Sequence, residues 1–189
     1  MSVIEIPSAG LDVDSAPRDL VEGPPTAELD LYRKRLETDG WSDETIHPSY
    51  LQNRGPDVAT SHGQCGVSSA WLLEKLQVEQ RIRGTYCYGD VLSAADGSPV
   101  LPRHCWIEIG DPEAPNRLVI DVTWDQVEGL VRESVLCEPH DELLKQEAVN
   151  YAARMRSSFA ELRNDLVWDR FVNLKQALGE VVEDLPARA

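Results

Sequence analysis

The 189-residue chain predicts an α+β fold, and three stretches carry that expectation. Between Val67 and Val78 the residues Val67, Ala70, Trp71, Leu73 and Leu76 recur at the spacing of a buried helix face. Arg103–Ile109 and Arg117–Thr123 have strand composition. They flank Gly110-Asp111-Pro112-Glu113-Ala114-Pro115-Asn116, so an antiparallel hairpin with a long connection is expected. After Pro139 the apolar residues return to a helical period.

Taken in order, residues 1–25 hold Pro7, Pro17, Pro24 and Pro25 among small and acidic residues. They read as an extended or mobile arm, with one edge strand at Val3–Ile6. Residues 26–189 are long enough for one domain with a proper core. Leu29, Tyr32 and Leu36 set a helix over Ala27–Leu36, with Thr26 as its N-cap and Gly40 as its stop. Trp41 to Ser61 is rich in turn residues and leads to Gly63; connections of this length often line sites. The Val67–Val78 helix is apolar nearly all round, which suits a central helix covered on several sides.

Arg81–Leu92 reads as a strand, and Ala95-Asp96-Gly97-Ser98-Pro99 as a turn. Leu144, Ala148, Tyr151, Met155, Phe159 and Leu162 form one stripe, expected on a helix. Leu166, Val167, Phe171, Leu174, Leu178 and Val181 form a second, with Asn164 as a cap between them. The catalytic core is thus expected at about 60–125, with C-terminal helices over about 139–185.

Composition narrows the function classes. The net charge of −15 argues against nucleic acid as a general partner, because a phosphate backbone needs a cationic surface. It favours a cationic substrate or partner through long-range steering, although plain solubility produces the same acidity. No apolar run approaches the roughly 20 residues that span a bilayer, so no membrane partner is expected. The N-terminus lacks a basic segment followed by an apolar one, which predicts a cytoplasmic protein with its four cysteines reduced.

One constellation carries chemistry. Cys65 opens the apolar helix, His104 follows 39 residues later, and Asp121 another 17 residues on. A thiolate is the reactive form of cysteine, and the first turn of a helix favours the anion. An imidazole can pair with that thiolate and later protonate a leaving group, while a carboxylate on its other nitrogen fixes the tautomer. Strand alternation puts His104, Trp106 and Glu108 on one face, with Cys105, Ile107 and Ile109 on the other. Val119, Asp121 and Thr123 share a face on the next strand. Asp125 is the second candidate for the orienting carboxylate.

An oxyanion needs donors, for which the backbone N–H of Cys65 or Gly66 and the side chain of Gln64 are candidates. Trp106 and Trp124 are candidates to wall a substrate groove, with core packing as the alternative. Cys87, Cys105 and Cys137 read as core residues, Cys105 facing away from His104. His47, His62 and His140 read as loop or surface residues, with His62 near the site mouth. A zinc set of His62, Cys65, His104 and Cys105 can be written. Adjacent strand residues point apart and no Cys-x-x-Cys pair exists, so no metal and no other cofactor is expected.

The run His104-Cys105-Trp106-Ile107-Glu108, followed by Asp121-Val122-Thr123-Trp124, resembles the transglutaminase-like core of the papain-like cysteine enzyme superfamily. That core has a His-x-Trp-x-Glu strand and then a strand ending near Asp-Pro-Thr; Val122 replaces the proline here. The opening Gly63-Gln64-Cys65-Gly66-Val67 also resembles the small bacterial YunG-type proteins. The resemblance spans roughly residues 60–125. It implies a nucleophile helix packed on an antiparallel sheet, with Cys65 as nucleophile, His104 as base and Asp121 as orienting acid. The expected activity is acyl transfer at an amide or thioester of a small-molecule or peptide substrate. The alternatives are a catalytically inactive binding protein on the same scaffold and a zinc-binding protein.

Overall fold

A computed structural model describes residues 22–53, 60–126 and 133–182; the expected arm up to residue 21, with its edge strand at Val3–Ile6, lies outside them. The described residues form an α+β unit around an antiparallel five-stranded sheet. The strands are β1 Thr85–Ser93, β2 Pro99–Ile109, β3 Leu118–Asp121, β4 Leu136–Pro139 and β5 Val149–Ser157. Their order across the sheet is β4-β3-β2-β1-β5. The expected hairpin is β2–β3, with Ile107 opposite Ile120 and Ile109 opposite Leu118.

Helices cover one face of the sheet: α1 Thr26–Arg35, α2 Cys65–Val78 and α4 Trp168–Ala177, while a single turn, α3 His140–Glu142, follows β4. The larger core lies under this layer. Leu29 and Leu36, then Trp71, Leu73 and Leu76, pack with Ile107, Ile120, Phe171 and Leu174. α2 is buried on nearly every side, as its all-round apolar composition requires. A smaller core occupies the opposite face, where Cys87, Val91, Trp106, Val119, Trp124 and Tyr151 meet. From Cys105 onward β2 is divided between the two cores, with Cys105, Ile107 and Ile109 in the larger and Trp106 in the smaller.

Some boundaries differ from expectation. Thr26 is the first helical residue and Pro25 the cap position, with no side-chain capping bond. Proline suits this boundary because its φ is already near the helical value. The helix then widens into a π turn over Leu36–Gly40, which closes with Trp41 N–H donating to the Leu36 carbonyl at 2.8 Å. Gly40 does end the element, and a Cβ there would come within 2.7 Å of Leu174 Cδ1.

The larger correction concerns residues 139–162. The expected helix through Leu144, Ala148, Tyr151, Met155, Phe159 and Leu162 does not form. A π turn over Leu143–Glu147 ends at Ala148, which takes the left-handed φ of +52°, and the chain continues as β5. Val149 and Tyr151 point into the smaller core at period two. Pairing with β1 over Val149–Ser157 satisfies the strand's backbone on one side. In the second stripe, Phe171, Leu174 and Leu178 are buried, whereas Leu166 and Val181 are exposed. Asn164 does not cap α4: the cap position is Val167, which makes no side-chain capping bond, and Asp165 Oδ1 accepts from its N–H at 2.8 Å.

Candidate active site

Cys65 reaches its position through a tight turn. Gly63 adopts a φ of +75°, and a Cβ there would approach Ile46 Cγ1 to 2.8 Å and Tyr50 Cβ to 2.9 Å. Its carbonyl accepts from the His47 N–H at 2.9 Å. The chain then enters α2 directly at Cys65, with Gln64 in the cap position making no side-chain capping bond. The positive end of the helix backbone therefore faces the thiol without a competing side-chain cap.

His104 and Asp121 form a buried, hydrogen-bonded pair. His104 Nε2 and Asp121 Oδ2 are 2.6 Å apart, and both side chains are buried. Oδ2 also accepts from the Tyr151 hydroxyl at 3.0 Å. Oδ1 accepts from the Thr123 N–H at 2.8 Å and the Thr123 hydroxyl at 2.9 Å. Four donors around one carboxylate offset its burial cost, and its pKa is depressed despite that burial. Burial disfavours the imidazolium, but Asp121 and then Cys65 outweigh it, and the His104 pKa is pushed up to about 10.

With Nε2 held by Asp121, Nδ1 is the nitrogen left for the thiol. It is buried and has no hydrogen-bond partner among the described residues, and the thiol and the ring shift each other's pKa. The Cys65 pKa lies well below the ordinary thiol value. The largest cause is a hydrogen bond from Cys105; burial opposes it, and His104 reinforces it. Thiolate and imidazolium is thus the favoured protonation state.

Two irregularities bring these groups together across the strand. Arg103, immediately before His104, takes a φ of +57°. The β1–β2 register shifts between Gly89 and Val91 at the same level. Here Cys105 faces the start of α2 while His104 turns its ring to Asp121. Gly89 accommodates the crowding, because a Cβ would lie 2.1 Å from the Ala152 carbonyl oxygen and 2.9 Å from the Trp106 ring.

Cys105 does more than the sequence suggests. It faces away from the His104–Asp121 pair and joins the larger core, as expected, and there it also meets the Cys65 sulfur. The Tyr86 hydroxyl donates to Cys105 Sγ at 3.0 Å. Cys105 in turn donates to Cys65, and its own pKa is raised well above the ordinary value by that neighbour and by burial.

Cys65 opens onto a cavity of about 390 Å³, whose walls include Gly66, Tyr50, Tyr86, Cys105, Arg103 and Arg170. Several expected site residues lie elsewhere. The Gln64 side chain is buried, and its Nε2 donates to the Ser42 carbonyl at 3.3 Å, so it offers no donor to the cavity. Trp106 and Trp124 belong to the smaller core instead of walling the groove. Trp106 stacks on His104 at 6.4 Å between centroids and donates to Glu108 Oε1 at 3.2 Å. Glu108 is buried and also pairs with Arg117 and Arg156, which ties the far end of β2 to β5.

Asp125 serves another element, in a bidentate pair with Arg33 at 2.8 and 2.9 Å. His47 lies in a loop, as expected, and lines the cavity. His62 packs edge-on against Tyr50. His140, expected outside, is buried with Nε2 at 2.9 Å from Asn150 Oδ1. Cys87 is fully buried, and burial pushes the Cys137 thiol up to about 11. Among the described residues, no group of three or more His, Cys, Asp or Glu side chains is arranged to hold a metal ion. No described helix is long and apolar enough to cross a membrane.

No protein-family model matches the chain, and neither the curated proteins nor the solved structures provide a match. The functional reading rests on the geometry above.

Proposed function

We propose that this chain is a cysteine-dependent acyl-transfer enzyme with a Cys65–His104–Asp121 triad on a transglutaminase-like scaffold. The observation that carries the reading is the buried His104–Asp121 pair at 2.6 Å, joined to a thiol of lowered pKa at the wall of a cavity. A merely structural cysteine would be neutral and inert.

The thiolate of Cys65 attacks the carbonyl carbon of an amide or thioester and forms the new C–S bond. The resulting oxyanion is met by the backbone N–H groups of Cys65 and Gly66 at the start of α2. His104 gives the proton on Nδ1 to the leaving amine or thiol as its bond to the carbonyl carbon breaks. Water or an amine then attacks the thioester, His104 takes a proton from it, and the Cys65 thiolate departs. Asp121 holds the ring orientation and stabilises the imidazolium throughout.

The test is site-resolved alkylation with iodoacetamide from pH 4 to 9, read by mass spectrometry, on wild type and His104→Ala. Cys65 is expected to react fastest of the four cysteines, with a midpoint below the free-thiol value of about 8.5. His104→Ala should slow it at neutral pH. A Cys65 no more reactive than Cys137 in folded protein would remove the nucleophile and the reading with it.

A further inference from the structure

The cavity in front of Cys65 gathers two arginines in a strongly acidic chain. Acidic residues outnumber basic ones by 33 to 18, and Arg33, Arg117 and Arg156 are held in ion pairs. Arg103 and Arg170 both line the cavity, yet among the described residues neither guanidinium has a carboxylate within ion-pair distance. Arg170 lies beside the nucleophile, its Nη2 being 3.8 Å from where a Cβ on Gly66 would stand.

Both charges are felt inside the cavity: burial and then Arg170 and Arg103 depress the pKa of His47, and Arg103 also acts on Tyr50. The one carboxylate among the described lining residues, Asp165, accepts from the Val167 N–H through Oδ1. On the wall the two guanidinium groups outnumber the Asp165 carboxylate, while the Cys65 thiolate, the His104 imidazolium and the Asp121 carboxylate together carry one negative charge. In so acidic a chain, two guanidinium groups that face one cavity and have no carboxylate partner among the described residues are a built receptor for an anion.

We propose that the acyl donor carries a carboxylate, held by Arg170 with Arg103, that seats its carbonyl over Cys65. This rests on the acyl-transfer reading and names the substrate class for it. The acidity of the whole surface would repel such a molecule at long range, so its capture depends on these two side chains. Planar guanidinium groups can grip a carboxylate through paired N–H donors, and Tyr50, Tyr86 and Tyr88 wall the remaining space for an apolar or aromatic body.

Two alkylating probes of nearly equal shape test this, iodoacetate with a carboxylate and iodoacetamide without one. Both rates are measured at Cys65 by mass spectrometry at pH 7, for wild type, Arg170→Gln and Arg103→Gln. The readout is the iodoacetate-to-iodoacetamide ratio, which cancels whatever a substitution does to the thiolate itself. In wild type it should exceed the ratio for free cysteine by about tenfold or more, and it should fall about tenfold in Arg170→Gln. A wild-type ratio equal to that of free cysteine, or one unmoved by both substitutions, overturns the proposal.

If Arg170→Gln does not fold, protection of wild-type Cys65 from iodoacetamide by millimolar succinate decides the matter. Succinate should slow the reaction where succinamide does not, and equal effects of the two would overturn it. The acyl-transfer reading fails separately, through an absolute iodoacetamide rate no greater at Cys65 than at Cys137.

Discussion

The thiol of Cys105 stands between a tyrosine hydroxyl and the Cys65 sulfur, and its S–H stabilises a thiolate there. A hydrogen bond to a charged group contributes about 1.5–3 kcal/mol, which is roughly tenfold or more in an equilibrium. Cys105→Ala should therefore raise the Cys65 pKa and lower its alkylation rate near pH 6 by about tenfold. At pH 9, where the ordinary thiol also ionises, the loss should shrink. Equal rates for variant and wild type at pH 6 would show that Cys105 is only packing. Cys65, His104 and Asp121 were legible in the sequence because a helix start and two strands order them in the chain. Cys105 was not, since strand alternation tells which face a side chain takes but not which neighbour meets it there. Arg170 was equally hidden, more than a hundred residues away from Cys65 on a helix whose visible signal was its apolar stripe.

At the scale of elements, β5 links the edge of the sheet to the triad. Its Tyr151 hydroxyl is one of four donors on Asp121, so Tyr151→Phe should destabilise the fold by about 1–2 kcal/mol in urea unfolding. The loss should largely vanish in an Asp121→Ala background; a loss of the same size in both would place Tyr151's contribution in packing alone. The entry to β5 supplies a second prediction. Ala148 sits at a φ of +52°, where a Cβ costs roughly 1–2 kcal/mol and glycine none. Glycine also enlarges the freedom of the unfolded chain, so Ala148→Gly should stabilise by only about 0.5–1 kcal/mol, and a loss of stability would contradict this balance. This segment is also where a helix was expected and a strand forms. Leu144, Ala148, Tyr151 and Met155 recur at helical spacing, but Val149, Tyr151 and Ala153 recur equally well at period two. Only the open edge of β1, a long-range partner, decides between them. The β2–β3 hairpin and α2 needed no such arbiter, because each shows one period and its turns are marked by glycine and proline.

For the whole molecule, the triad links stability to pH through two opposite proton equilibria. The folded His104 pKa of about 10 lies above the unfolded value of about 6.5. Its contribution is therefore complete below pH 6.5 and lost as pH rises toward 10. The folded Cys65 pKa is depressed, so its contribution is complete above the unfolded value of about 8.5 and lost as pH falls through the folded value. Between about pH 6.5 and 8.5 the folded pair holds one proton on the imidazole, and the unfolded pair holds one on the thiol. The proton counts match, the two slopes cancel, and the triad leaves wild-type stability flat across that window. Cys65→Ser removes one slope and keeps the other, because Asp121 still raises His104 in the variant. Stability of Cys65→Ser relative to wild type should then fall with rising pH, by up to about 1.4 kcal/mol per unit, the limit for one proton. His47 and His140 are both depressed below the ordinary imidazole value, chiefly by burial, so both are mainly neutral above pH 6.5 and add no slope within the window. Urea unfolding of the two proteins at half-unit steps from pH 6 to 9 gives this difference directly. Parallel curves would mean that Cys65 rests as a neutral thiol, whereas divergence above pH 6.5 is the signature of a buried thiolate–imidazolium pair.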